Sequence, residues 1–248
     1  SPDERMCPIF RFAPREDASP RAKANLVRAV LTGRISSKEL SKDHLEAVAD
    51  LCVNCHQCRL ECPANVDIPK LVLEAKAQYV VTNGLSSTEM LFTRLDKMCQ
   101  IGSSFATLAN WSFGNPAMRW LMEKTIGIAQ GRKLPRFAMR TFLREAQRRK
   151  LTRQGRFDGR KVLYFVDVYA NWFDVELANA FVSVMRHNGV AVFVHPRQVP
   201  TGMSAVSVGA VDTARRYAAR NVPLLAEAIR QGYHVVTTEP SATLCLTH

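Results

Sequence analysis

Residues 51–63 read LCVNCHQCRLECP, with cysteines at 52, 55, 58 and 62 and a proline at 63. The spacing is C-x2-C-x2-C-x3-C-P, the run used by bacterial ferredoxins to hold [4Fe–4S] clusters. Three cysteines two residues apart wrap a tight loop, so Cys52, Cys55 and Cys58 can converge on three irons of one cubane. The fourth, Cys62, lies three residues on and is anchored by Pro63. In two-cluster proteins that fourth thiolate ligates the other cluster. Two other chemistries share these letters. Cys52-Val53-Asn54-Cys55-His56 reads C-x-x-C-H, a haem-attachment pattern with His56 as axial ligand, but it leaves Cys58 and Cys62 without a role. Zinc takes four tetrahedral ligands, commonly as two separated pairs, which four cysteines in eleven residues fit poorly.

One more Cys-Pro pair occurs, Cys7-Pro8. Set beside the later run, Cys7 reads as the fourth cysteine of a first ferredoxin motif. The exchange of fourth ligands then predicts that Cys7 completes the cluster held by Cys52, Cys55 and Cys58. Cys62 then belongs to a second cluster, whose first three cysteines have no counterpart in this sequence. The expectation that follows is a piece of a longer protein, cut between the third and fourth cysteines of its first motif. The competing arrangement has Cys62 swing back and close the same cubane. Cys99 and Cys245 read as small buried apolar residues.

The elements that must position these cysteines are legible from caps and periodicity. Ser19-Pro20 opens a helix with apolar residues at Leu26, Val27, Val30 and Leu31 and a stop at Gly33. Ser36 and Glu39 have capping-box spacing and open a second helix that runs through Leu40, Leu45 and Val48 to the cysteines. A third follows Pro69 and ends at Gly84, and Ser86 with Glu89 repeats the box before a fourth. Residues 105–130 are rich in Trp, Met and Phe and are broken at Gly114-Asn115-Pro116. They read as two core helices, with an amphipathic surface for a membrane or a partner subunit as the alternative.

The second half changes character. Residues 161–169, 190–195 and 234–240 read as buried strands, and 174–189 and the segments either side of Pro223 as helices, with a kink or break at that proline. The alternation predicts a small parallel sheet with right-handed crossovers. The fold class expected is therefore a mainly α, ferredoxin-like N-terminal domain followed by an α/β Rossmann-like domain. The expected division is 1–100 for the cluster domain, 101–158 for a helical basic connector and 159–248 for the α/β domain. No G-x-G-x-x-G follows the first strand, so nothing there argues for a dinucleotide.

The 248 residues carry a formal net charge of +12, and most of it lies between Arg132 and Lys161, where twelve Lys and Arg oppose only Glu145 and Asp158. Such a stretch attracts nucleic acid, anionic lipid or an acidic partner, or is simply a solvated face. Only Phe137, Phe142 and Phe157 are interleaved with it and no nucleic-acid motif is present, so no nucleic-acid partner is expected. Seven cysteines, five of them within residues 1–62, suggest a metal site in a reducing compartment rather than a disulfide framework. With no long apolar run and no secretory signal, the chain reads as cytoplasmic, with a peripheral contact at the inner membrane as an extension of that reading.

MCPIFRFAPREDASPRAKANLVRAVLTG followed by CVNCHQCRLECPANVDIPKL resembles the iron–sulfur region of bacterial FAD-linked oxidases. It is also similar to the iron–sulfur subunits of anaerobic glycerol-3-phosphate dehydrogenase and glycolate oxidase, and more distantly to heterodisulfide reductase subunits. The resemblance implies an electron-transfer module, not catalytic alone. In such proteins a flavin on an upstream domain or partner subunit oxidises a 2-hydroxy acid or related substrate. Electrons leave through [4Fe–4S] clusters, one assembled here and a second in the intact protein, to a quinone or another carrier. Residues 159–248 resemble one truncated CCG unit. The family's Cys-Cys-Gly falls on Pro200-Thr201-Gly202 and its C-P-x-C on Glu239-Pro240-Ser241-Ala242, so the cysteines are missing there. Gly202 and Pro240 are expected to keep the shape of the loops. The alternatives weighed are a heterodisulfide-reductase-like CCG protein and a basic nucleic-acid-binding module with a structural cluster.

Overall fold

A computed structural model describes residues 7–36, 38, 43–155 and 159–247. Two compact units emerge: Ser1–Glu89 with Ser204–Val211, and Met90–Met203 with Asp212–His248.

In the first unit every described element is helical. Ser19 caps the helix Pro20–Leu31, its Oγ accepting from Ala22 N at 3.0 Å, and Gly33 leaves the helix at φ +72°. Asp67 caps Ile68–Asn83 by accepting from Lys70 N at 3.2 Å, with Pro69 in the first turn and Gly84 past the end. Both helices thus begin and end where their caps predict. The helix before the cysteines is described over Asp43–Asp50. Its expected opening at Glu39 and Leu40, and the side chain of Leu45, lie outside the described residues. Pro20–Leu31 and Asp43–Asp50 both pack on Ile68–Asn83. Ala49, Ile68 and Val72 form the core there, with Ala24, Val66, Cys52 and Cys58 against it. The cysteine segment is therefore held on the apolar floor of a small helical bundle.

The predicted capping box at Ser86 is complete: Ser86 N donates to Glu89 Oε2 at 2.8 Å and Glu89 N to Ser86 Oγ at 3.3 Å. They open the helix Ser87–Thr93.

In the second unit the helices Leu95–Ser104, Ala106–Gly114 and Pro116–Ile126 precede the sheet. Asn115 provides the break, accepting from Ala117 N and Met118 N at 3.0 and 3.2 Å. Three parallel strands follow among the described residues, β1 (Lys161–Tyr164), β2 (Ala191–Phe193) and β3 (His234–Val236), in the order β2-β1-β3. Val162 stands opposite Val192 on one side and His234 on the other. Around β1 successive side chains enter opposite cores. Tyr164 and Val166 join Phe142, Val182 and Val194, while Leu163 and Phe165 join Phe193, Ala228 and Tyr233. Burial on both faces is why the stretch is continuously apolar.

Three details differ from the sequence expectations. The run 161–169 leaves the strand after Tyr164 and enters a helix at Val168–Trp172, with Asp167, the one acidic residue of the run, at the helix N-cap. Val211–Arg230 is one helix with Pro223 inside it, so of the kink and the break expected at that proline the break does not occur. The segment after β3 turns into a helix, Pro240–Thr247, with Pro240 at its first position, where a missing N–H costs nothing.

Candidate metal centre

Cys7, Cys52, Cys55 and Cys58 line one cavity, together with Lys23, Ile68 and Pro69. Each arrives by a separate local device. Cys7 is the N-cap of the helix Pro8–Phe12, and its carbonyl accepts from Arg11 N at 3.1 Å while its Sγ lies 3.9 Å from the Ala18 carbonyl. Cys52 leaves the preceding helix with its N–H on Ala49 O at 3.0 Å. Between Cys52 and Cys58 the backbone turns twice into the left-handed region, at Asn54 (φ +52°) and His56 (φ +58°). Asn tolerates that region better than most residues, and His more than a branched side chain would. These two turns flank Cys55 and bring it to the same cavity as its neighbours. His56 then starts the short helix Gln57–Glu61, which carries Cys58, its carbonyl accepting from Arg59 N and Leu60 N.

Cys62 is not among the residues lining that cavity. It follows the short helix in an extended conformation, and its Sγ accepts from Val66 N at 3.4 Å. The turn that carries it is fixed by Asn65 N on Cys62 O at 3.0 Å and by Arg59 paired with Asp67 at 3.3 Å. All five thiols are free and partly exposed. Burial pushes the Cys52 thiol above its ordinary value. It pushes Cys58 up to about 11, with the neighbouring Cys52, Cys55 and Cys7 adding to it. Gathered thiols of this kind ionise together only when a cation compensates them, which is the behaviour expected of metal ligands. Among the described residues no group of three or more His, Cys, Asp or Glu is close enough to hold a single ion. Four thiols line the one cavity. In number and type they suit the corners of a cubane.

Two buried lysines beside this site were not singled out from the sequence. Lys23 is 3% exposed, lines the cavity and donates from Nζ to Ala18 O at 2.7 Å. Lys76 pairs with Asp50 at 2.8 Å and donates to Ser207 O at 2.8 Å. The signal for Lys23 was present: it stands at i with Leu26, Val27 and Val30 at i+3, i+4 and i+7, a cation on an apolar face.

The loops at the carboxyl end of the sheet, where the resemblance set Thr201 and Glu239, are held by buried carboxylates. Thr201 donates from Oγ1 to Asp167 Oδ2 at 2.5 Å and from its N–H to Oδ1 at 3.2 Å. Glu239 accepts from Tyr169 N and Ala170 N at 3.2 and 2.9 Å, at the start of the helix Val168–Trp172. Gly202 adopts φ +86° with the Tyr217 side chain 3.0 Å from where a Cβ would stand, so it holds the loop's shape as expected. Cys99 is buried, as expected, and its thiol is pushed up to about 12. Cys245 is only partly buried and donates to Thr201 O at 3.6 Å.

Burial raises the Asp167 carboxyl, against the Thr201 hydrogen bonds that lower it. The folded chain therefore keeps a proton that the unfolded chain has already lost. Stability from this group falls as pH rises from the ordinary aspartate value to the raised one, and is level above it. Urea midpoints for wild type and Asp167→Asn between about pH 4 and about pH 7 should show the wild-type-minus-variant difference declining with pH. A difference that grows with pH contradicts this sign.

Residues 4–67, which include all five of these cysteines, match the family model of a 4Fe-4S dicluster domain. Two curated relatives, the C subunits of the anaerobic glycerol-3-phosphate dehydrogenases of Escherichia coli strain K12 and of Escherichia coli O157:H7, are each 26% identical over 185 residues. The aligned region covers 74% of this chain and 46% of each relative, so the chain spans about half the length of the curated relatives it matches. No solved structure matches the chain. The iron–sulfur resemblance read from the cysteine motifs thus holds against two independent comparisons. Among the described residues no helix is long and apolar enough to cross a membrane.

Proposed function

We propose that this chain is the iron–sulfur electron-transfer part of a flavin-dependent oxidoreductase. The observation that carries the reading is the convergence of Cys7, Cys52, Cys55 and Cys58 on one cavity, within the segment that matches a dicluster family. In it these four thiolates hold one [4Fe–4S] cluster, and Cys62, turned to Val66 N, serves a second cluster completed by other residues of the intact protein. A bound cluster supplies one-electron storage at a potential set by charge, hydrogen bonds and exposure. The protein's part is to hold the thiolates, keep Lys23 beside them and exclude bulk water with Pro20, Ile68 and Pro69. The flavin belongs to an upstream domain or a partner subunit, with glycerol 3-phosphate or a 2-hydroxy acid as its substrate. The acceptor is a quinone or another carrier. The 159–248 region, with Thr201 and Glu239 where cysteines are needed, serves this function as a scaffold. A peripheral membrane contact belongs to the same proposal and draws on the exposed Phe105, Leu108, Trp111 and Trp120.

The test uses the chain reconstituted anaerobically with iron and sulfide, photoreduced FMN as donor and menadione as acceptor. Visible absorbance should bleach with the flavin and recover with the quinone. A cluster that neither probe changes argues for a structural role instead.

A further inference from the structure

The basic stretch does not act as one face. Arg149 is taken up by Glu145 at 3.8 Å and by Asn179 at 2.6 Å. Arg132, Lys133 and Arg136 instead line a cavity of about 500 Å3 with Arg119 and Gln130, and no acidic side chain lines it. That volume is within the range of small-molecule sites. The three loop cations are exposed, whereas Arg119 is 6% exposed. Its Nη2 donates to the carbonyls of Ala129, Gln130 and Arg132 at 2.7, 3.0 and 2.7 Å, which fixes the loop that carries the other cations. Its Nη1 is buried with no hydrogen-bond partner, and Arg119 has no ion pair among the described residues. Glu123, one turn along the same helix, is engaged with the loop backbone, accepting from Gln130 N at 3.3 Å.

A buried guanidinium is costly without a counter-charge, and an open donor on it is costlier still. Three further cations line the same cavity, so an anion entering it meets positive charge from several sides. Arg is also the side chain best shaped to take two oxygens of one phosphate. We propose that this cavity binds a phosphate group, carried by a soluble phosphomonoester or by a lipid headgroup. It accounts for part of the charge that the cluster chemistry leaves unused.

The full chain is titrated calorimetrically with inorganic phosphate in about 0.1 M salt, where long-range charge effects are screened beyond about 10 Å. In parallel it is sedimented with phosphatidylcholine vesicles with and without phosphatidate. The test variant is Arg132→Gln/Lys133→Gln/Arg136→Gln. The control, Arg215→Gln/Arg216→Gln/Arg220→Gln, removes the same charge elsewhere. Loss of the charge-assisted hydrogen bonds should weaken binding by about tenfold or more in the test variant, with less than about twofold change in the control. Dependence on the test residues in the soluble arm identifies a phosphomonoester site. Dependence only in the phosphatidate arm identifies a headgroup site. Absence of binding in both arms, equal binding by wild type and test variant, or equal weakening by both variants overturns the proposal.

Discussion

Cys58→Ser is expected to abolish cluster assembly, with iron falling from about four per reconstituted chain to below about one. Cys58 sits on the first turn of Gln57–Glu61, packs on Ala49, Ile68 and Val72, and has Cys7, Cys52 and Cys55 as neighbours around the same cavity. A serine oxygen is a harder, more basic ligand on a shorter bond. At a site fixed by a helix on one side and an apolar core on the other, the backbone cannot move to compensate. Iron and acid-labile sulfide counts, with absorbance near the thiolate-to-iron band, check this. Full iron content in the variant would mean that Cys58 is not a ligand.

Replacing Lys23 with Met is expected to lower the reduction potential by an amount on the order of 50–100 mV. Reduction adds one negative charge to a cluster already held by four thiolates. A cation lining the same cavity stabilises the reduced form more than the oxidised one, and its removal favours oxidation. Lys23 is nearly fully buried, so solvent does not screen it. The substitution also strips the Ala18 carbonyl of its donor at 2.7 Å, at a stability cost of about 1–3 kcal/mol. Redox titration followed by EPR separates the two effects, with Lys70→Met as the exposed control in the same unit. An unchanged potential with lowered stability would make Lys23 purely a structural donor to Ala18.

How much of this was legible in the sequence follows from which physical signal each element carries. Caps are local, so Ser19, the Ser86–Glu89 pair and Asn115-Pro116 announce helix starts that the structure keeps. The ends of buried strands are not local. The one polar residue between Tyr164 and Val168 is Asp167, which stands at the N-cap of the helix that follows, so the turn from strand to helix was marked by a single residue inside an otherwise apolar run and was read through. Pro223 lies inside Val211–Arg230, so a local breaker did not mark a helix end there, and two residues before it Asn221 donates to Val199 O and Pro200 O. The grouping of Cys7 with three cysteines 45 or more residues away was legible only because ferredoxin spacing carries a rule about fourth ligands. Lys23 was missed for the opposite reason. Its place on the apolar face with Leu26, Val27 and Val30 was legible, but a lysine is ordinarily a surface residue.

The loops at Thr201 and Glu239 are held by carboxylates: Thr201 donates to Asp167, and Glu239 accepts from the backbone at the start of Val168–Trp172, with Gly202 at φ +86° in the first loop.

The most direct measurement compares Cys7→Ala with Cys62→Ala, each reconstituted anaerobically, by iron count and low-temperature EPR after dithionite. Crossed ligation predicts that Cys7→Ala loses the reduced-cubane signal or converts it to a three-iron form, while Cys62→Ala retains about four irons and the signal. The reverse outcome, an intact cubane without Cys7 and a damaged one without Cys62, would contradict the account and assign Cys62 to the same cluster.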